Sequence, residues 1–149
     1  MGTDCNITYF GDNSINMCVP ICPISMNYFG DPSTRLCVSY CPLLTLPVIN
    51  ATAGINLPSG RLFADYSTRL CVYTCPSTYG NEGTYGDNST NTCVGQCPIG
   101  SFGDANTVNR FCVSECTGGS YADNLTMLCV SICPANPPTF GYNGNWTCI

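Results

Sequence analysis

Apolar residues in this chain come in short clusters separated by polar turns, and the same order of clusters returns again and again. In the segment Tyr28-Phe29-Gly30-Asp31-Pro32-Ser33-Thr34-Arg35-Leu36-Cys37-Val38-Ser39-Tyr40-Cys41-Pro42 the aromatic pair leads into a polar turn, and Leu-Cys-Val follows it. The segment Thr84-Tyr85-Gly86-Asp87-Asn88-Ser89-Thr90-Asn91-Thr92-Cys93-Val94-Gly95-Gln96-Cys97-Pro98 nearly repeats it. Further copies start at Phe10-Gly11-Asp12, Phe63-Ala64-Asp65, Phe102-Gly103-Asp104, Tyr121-Ala122-Asp123 and Phe140-Gly141-Tyr142. The turn residues Gly, Asp, Asn, Pro, Ser and Thr tolerate tight backbone conformations, so each copy predicts a hairpin with the aromatic on the first strand and Arg-Leu-Cys-Val on the return. The Pro after the second Cys cannot donate to a ladder and ends the return strand. No stretch keeps a helical period, so little helix is expected. The recurring aromatic is expected over the adjacent disulfide and the Leu or Phe of the next strand, filling the space between modules.

Fourteen cysteines in 149 residues exceed the fraction that marks a disulfide scaffold, and such scaffolds persist in oxidising compartments. A zinc protein is a poor match, because the chain has no His and the paired cysteines are separated by three residues instead of two. Sequence does not formally fix connectivity, but the repeat narrows it. Joining the second Cys of each pair to the first of the next gives Cys5–Cys18, Cys22–Cys37, Cys41–Cys71, Cys75–Cys93, Cys97–Cys112, Cys116–Cys129 and Cys133–Cys148, with none left over. A loop of roughly 15 residues closed in this way gains about 3 kcal/mol in the chain-entropy model, which replaces the core so small a unit lacks. The expected fold is therefore small, disulfide-rich, and mostly β or irregular. It is a linear stack of seven single-disulfide β-hairpin modules forming an elongated rod, one continuous array over 1–149 with modules near 5–18, 22–37, 41–71, 75–93, 97–112, 116–129 and 133–148.

The grammar Cys-Pro-x-x-x-Tyr/Phe-Gly-Asp…Cys-Val-x-x-x-Cys-Pro resembles the furin-like, growth-factor-receptor-type cysteine-rich repeat, most closely the tandem versions in surface and secreted proteins of ciliates and related protists. The resemblance runs from Cys5 to Cys148. It implies single-disulfide modules stacked into a rod, in agreement with adjacent pairing, and no enzymatic activity. The chain departs from the pattern where Cys41 to Cys71 is about twice the usual gap, where Tyr142 replaces the turn Asp, and where Thr117 replaces the Pro. The same repeat serves as spacer, receptor ectodomain and coat component, so it fixes fold more than function.

Charge narrows the partners. Only 9% of residues are charged, the basic ones are Arg35, Arg61, Arg69 and Arg110, and the formal net charge is −5, so there is no footprint for nucleic acid. The uncharged run from Leu36 to Gly60 is long enough to span but is cut by Pro42, Pro47, Asn50, Gly54 and Pro58, and no transmembrane segment is expected. Residues 1–4 carry no secretory signal, so the chain is expected to be a mature or excised segment of a secreted or cell-surface precursor. No acid–base pair or activated nucleophile is arranged around the isolated Glu82 and Glu115, and no enzyme is expected. Asp12, Asp31, Asp65, Asp87, Asp104 and Asp123 recur once per module, which reads as a turn residue and not as a calcium loop; no cofactor or metal is expected.

Positive mean hydropathy with so few charges is a solubility problem that sugar or self-assembly would relieve. Sequons begin at Asn6, Asn50, Asn88, Asn124 and Asn145, and Asn88 and Asn124 share the site after the turn Asp, where a side chain points to solvent. Ser and Thr of the same turns are open to O-linked sugar. The insert between Cys41 and Cys71 carries Leu43, Leu44, Leu46, Val48 and Ile49, either folded onto its own module or forming an assembly contact. Cys148-Ile149 looks like the start of a Cys-Val-x-x-x-Cys-Pro junction and Thr3-Asp4-Cys5 like its end, so a head-to-tail contact involving Ile149 nearly restores one; a window cut from a longer array reads equally well. The expected function is a structural, N-glycosylated extracellular subunit of a head-to-tail filament or coat. The alternative is a ligand-binding or spacer ectodomain of a larger receptor.

Overall fold

The computed structural model describes residues 5–50, 55–57, 59–77, 83–105 and 110–149, and the chain forms two compact units, Met1–Tyr73 and Thr74–Ile149. The division falls inside the Cys71–Cys75 junction, so the first unit holds three of the expected modules and the second four.

In the first unit the strands are β1 (Phe10–Asp12), β2 (Met17–Val19), β3 (Phe29–Asp31), β4 (Leu36–Val38), β5 (Leu43–Leu44), β6 (Val48–Asn50), β7 (Ile55–Leu57), β8 (Gly60–Arg61), β9 (Phe63–Asp65) and β10 (Leu70–Val72). In the second they are β11 (Tyr85–Asp87), β12 (Thr92–Val94), β13 (Phe102–Asp104), β14 (Phe111–Val113), β15 (Tyr121–Asp123), β16 (Leu128–Val130), β17 (Gly141–Tyr142) and β18 (Thr147–Cys148). Each module is an antiparallel hairpin in one register, with the Gly or Ala opposite the return-strand Cys: Gly11↔Cys18, Gly30↔Cys37, Ala64↔Cys71, Gly86↔Cys93, Gly103↔Cys112, Ala122↔Cys129 and Gly141↔Cys148. A three-residue strand is far too short to be stable alone, so the hairpins depend on the bridges and on their neighbours.

The seven disulfides join the pairs expected from the repeat, and no free cysteine remains. Within each unit the modules form a linear ladder, because the first strand of one pairs in parallel with the return strand of the next. Thus β1 lies beside β4 and β3 beside β10 in the first unit. In the second, β11 lies beside β14, β13 beside β16, and β15 beside β18. The fold is a disulfide-rich stack of hairpin modules with no helix among the described residues.

The long gap between Cys41 and Cys71 holds two nested antiparallel pairs, β5 with β8 and, inside it, β6 with β7. Its inward row packs on its own module: Leu44 and Leu62 are buried with Phe29, Ala64 and the Cys41–Cys71 bridge, and Val48 and Tyr73 lie against them. Leu44 and Val48 are thereby corrected from assembly contacts to core residues, as the period-2 alternation of a strand requires. Leu43 and Ile49 point outward from β5 and β6 and are exposed, as is Leu46 in the bend between those strands.

Candidate functional site

The turn of each module is built around its aspartate. Asp12, Asp31, Asp65, Asp87, Asp104 and Asp123 are all buried, more deeply than a turn residue at a loop tip. Each is the last residue of a first strand, so its side chain turns back under the loop that follows. In the Asp31 turn, Oδ1 accepts the Ser33 amide at 2.9 Å and the Ser33 hydroxyl at 2.7 Å, while Oδ2 accepts the Thr34 hydroxyl at 2.7 Å. Asp65 is held in the same way by Ser67 and Thr68, and Asp87 by Ser89 and Thr90. Asp123 takes the Leu125 amide and the Thr126 hydroxyl. A buried carboxylate is tolerable only when donors replace its hydration, and these clasps supply them.

Burial works to raise the Asp87 carboxyl. The donors from Ser89 and Thr90 outweigh it and hold the group below the ordinary carboxylate range. Asp104 also accepts from the following junction, since Thr117, the residue that replaces the expected Pro, donates its hydroxyl to Asp104 Oδ2 at 2.8 Å. One module departs from the rule. In the first module Ile15 stands where the others have Thr, and Asp12 Oδ2 is buried with no hydrogen-bond partner. The aspartates sit one to a turn, and among the described residues no group of three or more His, Cys, Asp or Glu is placed to hold a metal.

The residue two before each return-strand Cys adopts a left-handed conformation. These are Asn16, Arg35, Arg69, Asn91, Arg110, Met127 and Trp146, with φ between 51° and 61°. Only two of them are Asn, so most carry the strain of a non-glycine residue there. The strain has a use at the junction. The carbonyls of Arg35, Arg69, Arg110, Met127 and Trp146 accept the amides of Gly11, Gly30, Gly86, Gly103 and Ala122 of the preceding module, at 2.7 to 2.9 Å. Four of these side chains, those of Arg35, Arg69, Arg110 and Trp146, lie against that module's aromatic ring. Arg35 lies 4.9 Å over Phe10, Arg69 5.0 Å over Phe29 and Arg110 4.6 Å over Tyr85, and the Trp146 ring is 5.5 Å from Tyr121.

The ring also meets the Gly of the next module. A Cβ on Gly30 would come within 2.8 Å of the Phe10 ring, on Gly103 within 2.8 Å of Tyr85, and on Gly141 within 2.6 Å of Tyr121. Phe10 also packs with the Cys22–Cys37 bridge and Phe29 with Cys41–Cys71, so the expected ring-over-disulfide contact is present. A cationic or flat side chain and a glycine meet the ring as well, which the repeat did not announce, while Leu70 packs against the Phe10 cluster. The mixed identities at the left-handed position hid this role; the recurrence of Arg two before Cys37, Cys71 and Cys112 was the one legible signal.

Among the sequon asparagines, Asn6, Asn88, Asn124 and Asn145 are exposed, and the side chain of Asn50 lies outside the described residues. Asn6 Oδ1 accepts the Ile7 amide at 2.7 Å, and Asn145 Oδ1 accepts the Thr147 hydroxyl at 2.5 Å. Glu115 is exposed, and Glu82 lies outside the described residues. Ile149 is exposed, while its backbone exchanges two hydrogen bonds with Phe140 across the last hairpin. That hairpin differs from the others in one respect. Phe140 is 73% exposed, whereas Phe10, Phe29, Phe63, Tyr85 and Phe102 are all at 7% or below. Among the described residues, β2 is the outer strand of the first unit's ladder and β17 that of the second's.

Seven bridges fit a protein of an oxidising, secreted or extracellular setting. Among the described residues no helix is long and apolar enough to cross a membrane. No family model, curated protein or solved structure matches the chain.

Proposed function

We propose that the chain is a structural, N-glycosylated extracellular protein, non-catalytic, whose copies join head to tail into a filament or surface coat. The observation that carries this reading is the way module joins module, a first strand paired in parallel with the next return strand, an arrangement that another copy can continue. At the junctions within each unit a first strand donates its Gly or Ala amide to the next module's left-handed residue, beside an aromatic that is buried at Phe10, Phe29, Tyr85 and Phe102 and half-buried at Tyr121. Strand β17 of one copy against β2 of another repeats that arrangement, with Gly141 as donor and Asn16 as the left-handed residue, and covers Phe140. Such a contact is heterologous and does not close on itself, so it propagates. Strand addition at an open edge is a general mode of association.

The surface composition points the same way. Ile99, Ile132, Leu46, Ile49 and Phe140 are among the most exposed apolar residues, on a chain with only 9% charged residues. Neighbouring copies and sugar on Asn6, Asn88, Asn124 and Asn145 would shield that surface. The resemblance to furin-like cysteine-rich repeats, which serve as structural and spacer modules, fits this role. Electron microscopy of the purified, non-reduced chain over a range of concentrations tests it. Fibres that lengthen with concentration are expected. Discrete particles at every concentration overturn the polymer and leave an ectodomain segment of a surface receptor as the better account.

A further inference from the structure

The sequons at Asn88 and Asn124 share their last residue with the turn clasp. Thr90, which completes Asn88-Ser89-Thr90, donates its hydroxyl to buried Asp87 Oδ2 at 2.8 Å and also pairs with the Thr92 hydroxyl at 2.7 Å. Thr126, which completes Asn124-Leu125-Thr126, donates to buried Asp123 Oδ2 at 2.6 Å. The backbone is fixed as well: the Asn91 amide donates to the Asp87 carbonyl and the Met127 amide to the Asp123 carbonyl, both at 2.8 Å. Asn6-Ile7-Thr8 is different. Thr8 is exposed, and its hydroxyl has no protein partner among the described residues.

We propose that Asn88 and Asn124 accept N-linked sugar only before their turns close, whereas Asn6 accepts it in the folded chain as well. The inference rests on the glycosylated reading above. In the transfer, Asn Nδ2 displaces the pyrophosphate of a lipid-linked oligosaccharide. The Nδ2–C1 bond forms, the bond from C1 to the pyrophosphate oxygen breaks, and Nδ2 gives up one proton. The hydroxyl two residues on is what makes the tripeptide an acceptor, so the transferase must engage it. At Asn88 and Asn124 that engagement would strip the Thr hydroxyl from Oδ2 of a buried carboxylate, where Asp87 keeps only the Ser89 hydroxyl it shares between its two oxygens, and unwind a turn held by the Asp carbonyl. At Asn6 the turn is held by the Tyr9 amide and Arg35 Nη2 on the Asn6 carbonyl, and engaging the Thr8 hydroxyl breaks no hydrogen bond to a buried carboxylate.

Closure of the turns goes with closure of the bridges. The Cys75–Cys93 bridge encloses Asn88, and Cys116–Cys129 encloses Asn124. Oxidation at those cysteines therefore competes with sugar transfer, and the two clasped sites become records of how long each module stayed open.

The test starts from unglycosylated chain, folded and oxidised, incubated with oligosaccharyltransferase and lipid-linked donor, and site occupancy is read by mass spectrometry. Expected is modification of Asn6 with Asn88 and Asn124 left bare, and modification of all three once the chain is reduced and unfolded. The Asp87→Ala variant, which frees the Thr90 hydroxyl while the Cys75–Cys93 bridge stays formed, should open Asn88 in the oxidised chain and leave Asn124 bare. Modification of Asn88 or Asn124 in oxidised wild-type chain as fast as Asn6 overturns the inference while leaving glycosylation standing. No sugar at any site even in the reduced chain overturns the glycosylated reading and this inference with it.

Discussion

Replacing Ile15 by Thr should stabilise the first module, because it supplies the donor that the other clasps possess. Asp12 Oδ1 accepts the Ser14 amide at 2.9 Å and the Ser14 hydroxyl at 2.6 Å, but its buried Oδ2 has no partner. In the Asp31, Asp65, Asp87 and Asp123 turns, the Thr three residues on meets Oδ2 at 2.6 to 2.8 Å. A hydrogen bond to an ionised group contributes about 1.5–3 kcal/mol net. Against this stands the loss of apolar surface. Ile15 is already 54% exposed, so roughly 1 kcal/mol of burial is forfeited at most. Both side chains are β-branched and carry similar χ1 restriction, so entropy changes little.

The balance is a gain of about 1–2 kcal/mol, or on the order of tenfold in local protection. Stacked modules with intact bridges need not unfold in one step, so native-state hydrogen exchange is a better assay than a melting temperature. The Ser14 amide, bonded to Asp12, and the Gly11 amide, bonded to the Arg35 carbonyl, are the probes. The converse variant, Thr34→Val, should put Asp31 in the state of Asp12 and lower protection at Ser33 by a comparable factor. If Ile15→Thr leaves the Ser14 amide unchanged and Thr34→Val leaves Ser33 unchanged, hydroxyl donation to Oδ2 does not hold these turns and the clasp argument fails.

Arg35→Lys should weaken the first junction by about 1–2 kcal/mol, because an ammonium cannot both lie over Phe10 and reach the Asn6 and Tyr9 carbonyls that Arg35 Nη2 meets at 2.7 and 2.8 Å; faster exchange of the Tyr9 amide would report it. Gly30→Val should cost about 1–3 kcal/mol through collision with Phe10, read as faster limited proteolysis of the first unit, whereas Ala64→Gly should change that rate little. For Asp87, a carboxyl held below its unfolded value contributes stability that is complete above the unfolded value, near 3.9, and is lost as pH falls through the lower folded one. Exchange protection of the Ser89 amide, compared between neutral and strongly acidic solution, should therefore drop below that pH in the wild type, and Asp87→Ala should abolish the step.

The repeat itself determined the hairpins, their register and the disulfide pairs, because those features depend on local spacing. Gly, Asp, Ser and Thr between two short apolar segments dictate a turn in any context, and adjacent pairing lets each Cys reach its partner across one module. Exposure of Asn88 and Asn124 follows from the same turn and was legible too. Tertiary structure decided whatever depends on a neighbouring module or on the buried side of a strand. The aspartates became buried clasps because the first strand directs them beneath the loop, and a turn propensity does not say which side of the loop a carboxylate occupies. Arg35, Arg69 and Arg110 became ring covers because the parallel pairing places each beside an aromatic of the module before it, many residues away in sequence. The apolar insert divided into Leu44 and Val48 inside and Leu43, Leu46 and Ile49 outside for a related reason. All five are apolar, so hydropathy could not separate them. Strand alternation separated Leu43 from Leu44 and Val48 from Ile49 only once β5 and β6 had a core to face, and Leu46 is exposed because it lies in the bend between them.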